Sequence, residues 1–198
     1  MDEIVRKAME KWPNVPHCYG WLALDARGNW RLRDETAQAR DMPGDTLRHE
    51  ALVAFINRNY SHDETGRWFF QNGPQRVYVD LAIAPFVART DPQRGLVLHT
   101  GEVLEQIDSA WMTEDGQLLF KSGDRLALLD DRDLAECLDR FQLDGDGLGD
   151  GALITWLAGG NADTGALHFM HFKQAVRVRH VVLAELAEQF GFVKQPRV

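Results

Sequence analysis

Cysteine is scarce in this 198-residue chain: Cys18 and Cys137 are its only two, far apart and in no CxxC spacing. That leaves no basis for a disulfide framework or a zinc ribbon. Long apolar runs are missing too. No stretch approaches the roughly 20 residues that a membrane-spanning helix needs, and the opening MDEIVRKAMEKW lacks the apolar centre of a secretory signal. Positive charge is not in excess either. Lys and Arg total 22 against 30 Asp and Glu, a formal charge of -8, and the arginines are scattered among acids. Such a surface repels phosphate backbones and anionic lipid, so neither nucleic acid nor a membrane is an expected partner. There is no glycine-rich phosphate loop, no catalytic triad motif, no acid–base pair at a recognisable spacing and no metal signature, so no cofactor is expected. A cytoplasmic, reduced, soluble protein is the plain expectation.

What is present is pattern. Hydrophobic residues make up 44% of the chain and charged residues 26%, enough for one large domain or two small ones. The stretch from Gly44 to Val79 returns in worn form from Gly145 to Val178. Asp45, Leu47, Ala51 and Leu52 align with Asp146, Leu148, Ala152 and Leu153; Phe55 and Ile56 align with Trp156 and Leu157. After a small deletion Thr65, Gly66 and Phe70 align with Thr164, Gly165 and Phe169, and Gln75, Val77 and Val79 with Gln174, Val176 and Val178. The matched positions are apolar or turn residues, which a shared fold needs.

In chain order, Ile4, Val5, Ala8 and Met9 lie at helical spacing, and the prolines after Trp12 end that helix. Cys18 to Arg33 reads as a hairpin turning at Gly28, and Asp34 to Pro43 as a surface loop. Asp45 or Thr46 is placed to cap a helix with Leu47, Leu52, Phe55, Ile56 and Tyr60 as its buried stripe. Arg67 to Gln71 and Gln75 to Leu81 read as a second hairpin around Asn72-Gly73-Pro74. Pro85–Arg89 and Gly95–Thr100 read as short linking strands. The second half opens with a hairpin from Ser109 to Phe120, with a strand over Arg125–Leu129 and a helix over Asp131–Phe141. A glycine-weakened helix over Asp150–Leu157, two strands within Ala166–Val182 and a last helix from Leu183 to Phe190 complete it. The expectation is an α+β fold, two pseudo-repeated hairpin–helix–hairpin units with mostly antiparallel sheets and flanking helices. The first unit covers 1–90, linking strands 91–108 and the second unit 109–198.

The pairing of Gly28 with Trp30, the helix LRHEALVAFI, the turn from Asp63 to Gly66 and the run VYVDLAIAPF (Val77–Phe86) carry a resemblance. Together they are similar to the uncharacterised bacterial family called domain of unknown function twelve eighty-five, whose members read roughly V-x-V-E-D-A-P-F at the last place. Val77, Val79, Asp80, Ala84, Pro85 and Phe86 keep that outline, while Leu81-Ala82-Ile83 departs from it. WPNVPHCYGW and FFQNGPQRVYVD are closer to proteobacterial proteins with no assigned role. The resemblance implies an α+β fold of repeated motifs, with a signalling role suggested, and brings no catalytic residues with it.

Several residues are weighed for chemistry. Cys18 follows His17, but neighbours on an extended chain point apart, so a nucleophilic cysteine would need His49 or His62 instead. Asp144, Asp146 and Asp150 outline a calcium loop, yet Leu148 and Thr155 stand where oxygen ligands belong. His168 and His171, three apart on a strand, face opposite sides. Trp12, Trp21, Trp30 and Trp68 are expected in the core. The stretch from Gln71 to Tyr78 is the preferred binding site: Gln71, Asn72 and Gln75 offer amides, Arg76 an anion anchor and Tyr78 an aromatic wall. Read as structure alone, the same stretch is a well-formed turn whose amides satisfy the local backbone. The expected function is non-enzymatic: binding of a small anionic ligand or a protein partner in a regulatory role. The alternative is a small hydrolase using Cys18 or a histidine. Exposed strand edges in both halves could also pair to make a homodimer.

Overall fold

Glycines at positive φ close most of the hairpins, Gly28, Gly73 and Gly116 among them, and the hairpins build the sheets. In the computed structural model, which describes residues 1–12, 14–159 and 164–198, the chain divides into two compact units. The breakers Pro13 and Gly160 lie outside the described residues. One unit comprises Met1–Pro85, His99–Gly101 and Ala187–Val198; the other comprises Phe86–Leu98 and Glu102–Leu186.

The first unit begins with α1 (Glu3–Lys11), whose Val5 is buried. Strands β1 (Cys18–Leu24) and β2 (Trp30–Leu32) follow, joined by a turn in which Gly28 has φ 77°. The segment read as a loop contains a short helix, α2 (Glu35–Ala39), because Asp34 accepts the Ala37 amide proton and caps it. Asp45 and Thr46 do not cap the next helix. They form β3 (Asp45–Thr46) against Arg31 and Leu32, and α3 (Glu50–Arg58) starts later, with His49 Nδ1 accepting from the Leu52 amide. The stripe is accordingly shorter than expected. Leu47 precedes the helix, Leu52 is exposed, and Tyr60 belongs to β4 (Tyr60–His62).

The second hairpin forms as expected, β5 (Trp68–Asn72) with β6 (Gln75–Leu81). Strand order in this unit is β3-β2-β1-β6-β5-β4, and β1 and β6 run parallel. Trp30 and Trp68 are core residues, while Trp12 and Trp21 are exposed, contrary to expectation. Trp21 stands on the opposite face of β1 from the buried Leu22.

The second unit contains β7 (Phe86–Asp91), β8 (Gly95–Leu98), β9 (Ser109–Thr113), β10 (Leu118–Ser122) and β11 (Arg125–Leu129). β12 (Phe141–Leu143), β13 (Asp146–Gly147), α4 (Ala152–Gly159), β14 (Leu167–His171) and β15 (Gln174–Val181) follow. Its sheet runs β13-β12-β14-β15-β9-β10-β11-β7-β8, with Met112, Phe120, Phe141 and Phe169 buried in it. The helix expected over Asp131–Phe141 is two 3₁₀ stretches, Asp131–Asp133 and Ala135–Arg140, after which Phe141 enters the sheet. The buried Asp130 carboxylate caps the first and pairs with Arg132 and Arg89. The fold is thus mixed α+β with mostly antiparallel sheet. After α5 (Leu186–Phe190), Gly191 at φ 68° ends the helix and the chain finishes in the first unit.

His171 makes the second unit acid-sensitive. Its ring is buried, with one nitrogen 2.7 Å from the Leu104 carbonyl and the other 3.1 Å from Arg140 Nη2. Arginine only donates, so Nδ1 accepts and Nε2–H donates, which is the neutral ring. Burial holds its pKa below the usual histidine value, and burial does the same to His180. The unfolded chain therefore binds more protons than the folded one as pH falls through about 6.5, and stability drops. Urea midpoints should be lower at pH 5.5 than at pH 7, and His171→Gln should flatten that dependence. An unchanged slope in the variant would exclude His171 as the cause.

Candidate functional site

The hairpin chosen from the sequence is set by its turn. Asn72 pairs with Gln75, and Gly73 takes φ 57° in the first place of the two-residue loop, where a side chain would be strained. Pairing then fixes the faces. Phe69 lies opposite Tyr78 and Gln71 opposite Arg76, so these four share one face, while Asn72 and Gln75 share the other with Phe70 and Val77. The five expected site residues are therefore divided between two faces. Gln75 donates to the Pro16 carbonyl (2.9 Å), and Gln71 donates to the Gly73 carbonyl (2.9 Å). Gln71 Oε1 is buried with no partner among the described residues.

Tyr78 is fully buried rather than a wall facing solvent. Its ring stacks on Tyr19 at 4.7 Å, meets the edge of His17 at 5.7 Å and carries the Arg67 guanidinium at 4.9 Å. Its hydroxyl donates to Asp63 (3.0 Å). Burial pushes the Asp63 pKa up, but donors from Thr65, the Arg67 amide and Tyr78 outweigh it and hold the carboxyl well below the usual range. Arg67 Nε closes this group on Asp63 at 2.8 Å. Arg76 differs from its neighbours. Its guanidinium lies 4.5 Å over the Phe69 ring and reaches the Tyr78 hydroxyl, with no ion-pair partner among the described residues. A guanidinium resting on an aromatic face keeps its edge donors available for an oxyanion.

The other weighed residues are placed as follows. Cys18 is a free, half-buried thiol opposite Val77. His49 caps α3, and the His62 ring lies 4.8 Å from Trp68. Asp144 accepts from the Ala166 amide. His168 and His171 fall on opposite faces of β14, half-buried and buried respectively. Among the described residues no three His, Cys, Asp or Glu gather as a metal site.

A second arrangement escaped the sequence reading. Asp80, near the end of β6, accepts from Arg33 Nη1 (2.8 Å) and from Arg197 Nη1 (2.7 Å). Arg33 also donates to Asp41 (2.9 Å) and to the Met42 carbonyl (3.0 Å), and both Arg33 and Asp80 are buried. They border a pocket of about 240 Å³ that Arg31, Asp25, Leu24, Leu81 and Gln195 also line. Only Asp80 carried a signal beforehand, as part of the outline Val77–Phe86.

A mixed α+β protein with a stacked aromatic–arginine face and a small charged pocket is what the fold and these groups define. The chain belongs to the family DUF2944, described as "Protein of unknown function (DUF2946)", whose model matches residues 1–197. A DUF1285 family protein from Silicibacter pomeroyi DSS-3 has a similar fold, with TM-score 0.50 and 13% identity over 94% of this chain and 98% of that one. A DUF1285 family protein from Shewanella baltica OS155 also matches, with TM-score 0.37 and 13% identity over 57% of this chain and 85% of that one. The resemblance read from Val77–Phe86 is thus met at the level of fold. No curated protein matches the chain, and no helix among the described residues is long and apolar enough to cross a membrane.

Proposed function

We propose that this chain is a non-enzymatic binding protein of regulatory role in the cytoplasm, taking a small anionic ligand or an acidic segment of a protein partner. The observation that supports this most is Arg76: a half-exposed cation on the Phe69 ring with no carboxylate holding it among the described residues. Gln71 and Tyr78 share its face, and Asn72 and Gln75 hold the turn beside it. A hydrolase based on Cys18 is the second reading, and alkylation separates the two. Blocking the thiol should leave ligand binding intact and would abolish a cysteine-dependent hydrolysis.

The duplicated pattern belongs to the same proposal. The pairing order β3-β2-β1-β6-β5-β4 has a counterpart in β11-β10-β9-β15-β14-β12. At the equivalent hairpin, Ala175 stands where Arg76 does and pairs with Met170 where Arg76 pairs with Gln71. On this reading the units arose by duplication, and the second gave up the anion anchor. Pairing of exposed strand edges into a homodimer remains part of the proposal, tested by sedimentation across a concentration series.

A thermal-shift screen of anionic metabolites and nucleotides tests the binding reading. A ligand at a hundred times its dissociation constant stabilises by about 2.7 kcal/mol, roughly 5 to 10 °C for a chain of this size. That shift should vanish in Arg76→Ala while the unliganded midpoint changes little. A shift that survives the substitution removes Arg76 from the site.

A further inference from the structure

We propose that the pocket beside Asp80 is a binding site for a small monocarboxylate, seated on the terminal nitrogens of Arg31. The pocket lies within the first unit and shares no residue with the Arg76 face. Its construction starts at the β1–β2 turn. Asp25 accepts from the Arg27 amide (3.0 Å) and the Asn29 amide (2.8 Å), and from Asn29 Nδ2, so its carboxylate is fixed in place. Burial pushes its pKa up, but these donors and Arg31 outweigh burial and keep it charged. Asp25 then accepts from Arg31 Nε at 2.8 Å.

That bond is the informative one. A carboxylate that holds a guanidinium by Nε leaves both Nη groups to other partners, and Arg31 has none among the described residues. The side chain is only 27% exposed and lines the pocket. A held, half-buried guanidinium with its terminal pair unused matches the two oxygens of a carboxylate. Arg33, two residues on and just past the end of β2, lines the pocket too. Its three hydrogen bonds leave one proton on each Nη.

The remaining lining sets the ligand class. Leu24, Leu81, Ala82 and Met42 give the pocket an apolar side suited to a short hydrocarbon body. With Arg197 counted through its pair with Asp80, three arginines balance Asp25, Asp41 and Asp80, so a dianion is repelled more strongly than a single extra negative charge. The volume of about 240 Å³ has room for a body of a few carbons. The apolar side and the charge balance both favour a carboxylate with a hydrocarbon body over inorganic phosphate.

Calorimetric titration of the whole chain with butyrate, hexanoate and inorganic phosphate tests this. Butyrate or hexanoate should bind at a single site. Arg31→Lys keeps the charge but loses the fork, and Arg31→Gln loses both, so each should weaken binding at least tenfold. Arg76→Ala should leave it unchanged, which separates this site from the hairpin face. Thermal midpoints of the Arg31 variants within a few degrees of the parent confirm that they fold. Three results would overturn the assignment: no saturable binding of either acid, binding retained in Arg31→Lys, or phosphate binding in place of the acids.

Discussion

Asp80→Ala should be among the most damaging single substitutions in the first unit, costing about 3–5 kcal/mol, because it leaves a buried guanidinium without its buried counter-charge. Arg33 and Asp80 are 6% and 5% exposed, and Arg33 would keep only the exposed Asp41 and the Met42 carbonyl. For a chain of this length that corresponds to a midpoint about 6 to 20 °C lower. Arg197 shares the same carboxylate but is 52% exposed at its side chain, so Arg197→Ala should cost only about 0–1 kcal/mol. The discriminating variant is the double one. Replacing Arg33 and Asp80 together by leucine removes both charges and should recover most of the loss, since the penalty comes from the charge left unpaired. If the double variant is as unstable as Asp80→Ala, the cost comes from lost hydrogen bonds or packing instead.

Gly66→Ala should be comparably severe, for a geometric reason. Gly66 has φ 78°, and a Cβ built on it would lie 2.1 Å from the Gly191 carbonyl oxygen. Strain at a left-handed position costs an L residue about 1–2 kcal/mol. The clash adds to it, because both parties are backbone and neither can step aside. Here the C-terminal segment docks on the first unit: Val193 donates to the Gly66 carbonyl and the Leu81 amide donates to Lys194. Relief of the clash therefore means release of that segment, and hydrogen exchange at the Leu81 amide should accelerate together with the loss of stability. Gly191→Ala supplies the control. Gly191 also has positive φ but open space around its would-be Cβ, so its replacement should show the backbone strain alone. Equal effects at the two glycines would contradict the clash.

Local chemistry is what made the hairpins legible. Gly28 and Gly73 sit at positive φ in the turns where they were expected, Gly116 does the same within the Ser109–Phe120 hairpin, and the flanking apolar residues alternate into the sheets. The start of α3 was misread because two sound local rules competed. Asp45 and Thr46 are good caps, but sheet pairing with Leu32 and Arg31 claimed them, and His49 took the cap. The parallel pairs β1–β6, β7–β11 and β9–β15 had no local signature, since their partners come from distant parts of the chain. The helix expected over Asp131–Phe141 gives way to 3₁₀ turns, and Phe141 leaves them for pairing with Phe169 in the sheet.

The candidate sites follow the same division. Arg76 and its turn could be read directly, because turn and anchor are neighbours in sequence. Tyr78 was recognised as aromatic but not as buried, since Tyr19, which covers it, arrives through the parallel pairing of β1 with β6. Arg33 and Asp80 are 47 positions apart, and Arg197 is 117 from Asp80, so no spacing rule could join them. Arg31 and Arg33 read as the polar residues of a strand until Asp25 and Asp80 are seen to hold them.

The most direct test of the binding role is amide chemical-shift mapping on the labelled chain with an anionic ligand taken from the thermal screen. The account predicts that the perturbed amides cluster on Gly73, Arg76, Tyr78 and Tyr19, and that Arg76→Ala abolishes the perturbation. Shifts that map elsewhere, or that persist without Arg76, would contradict it.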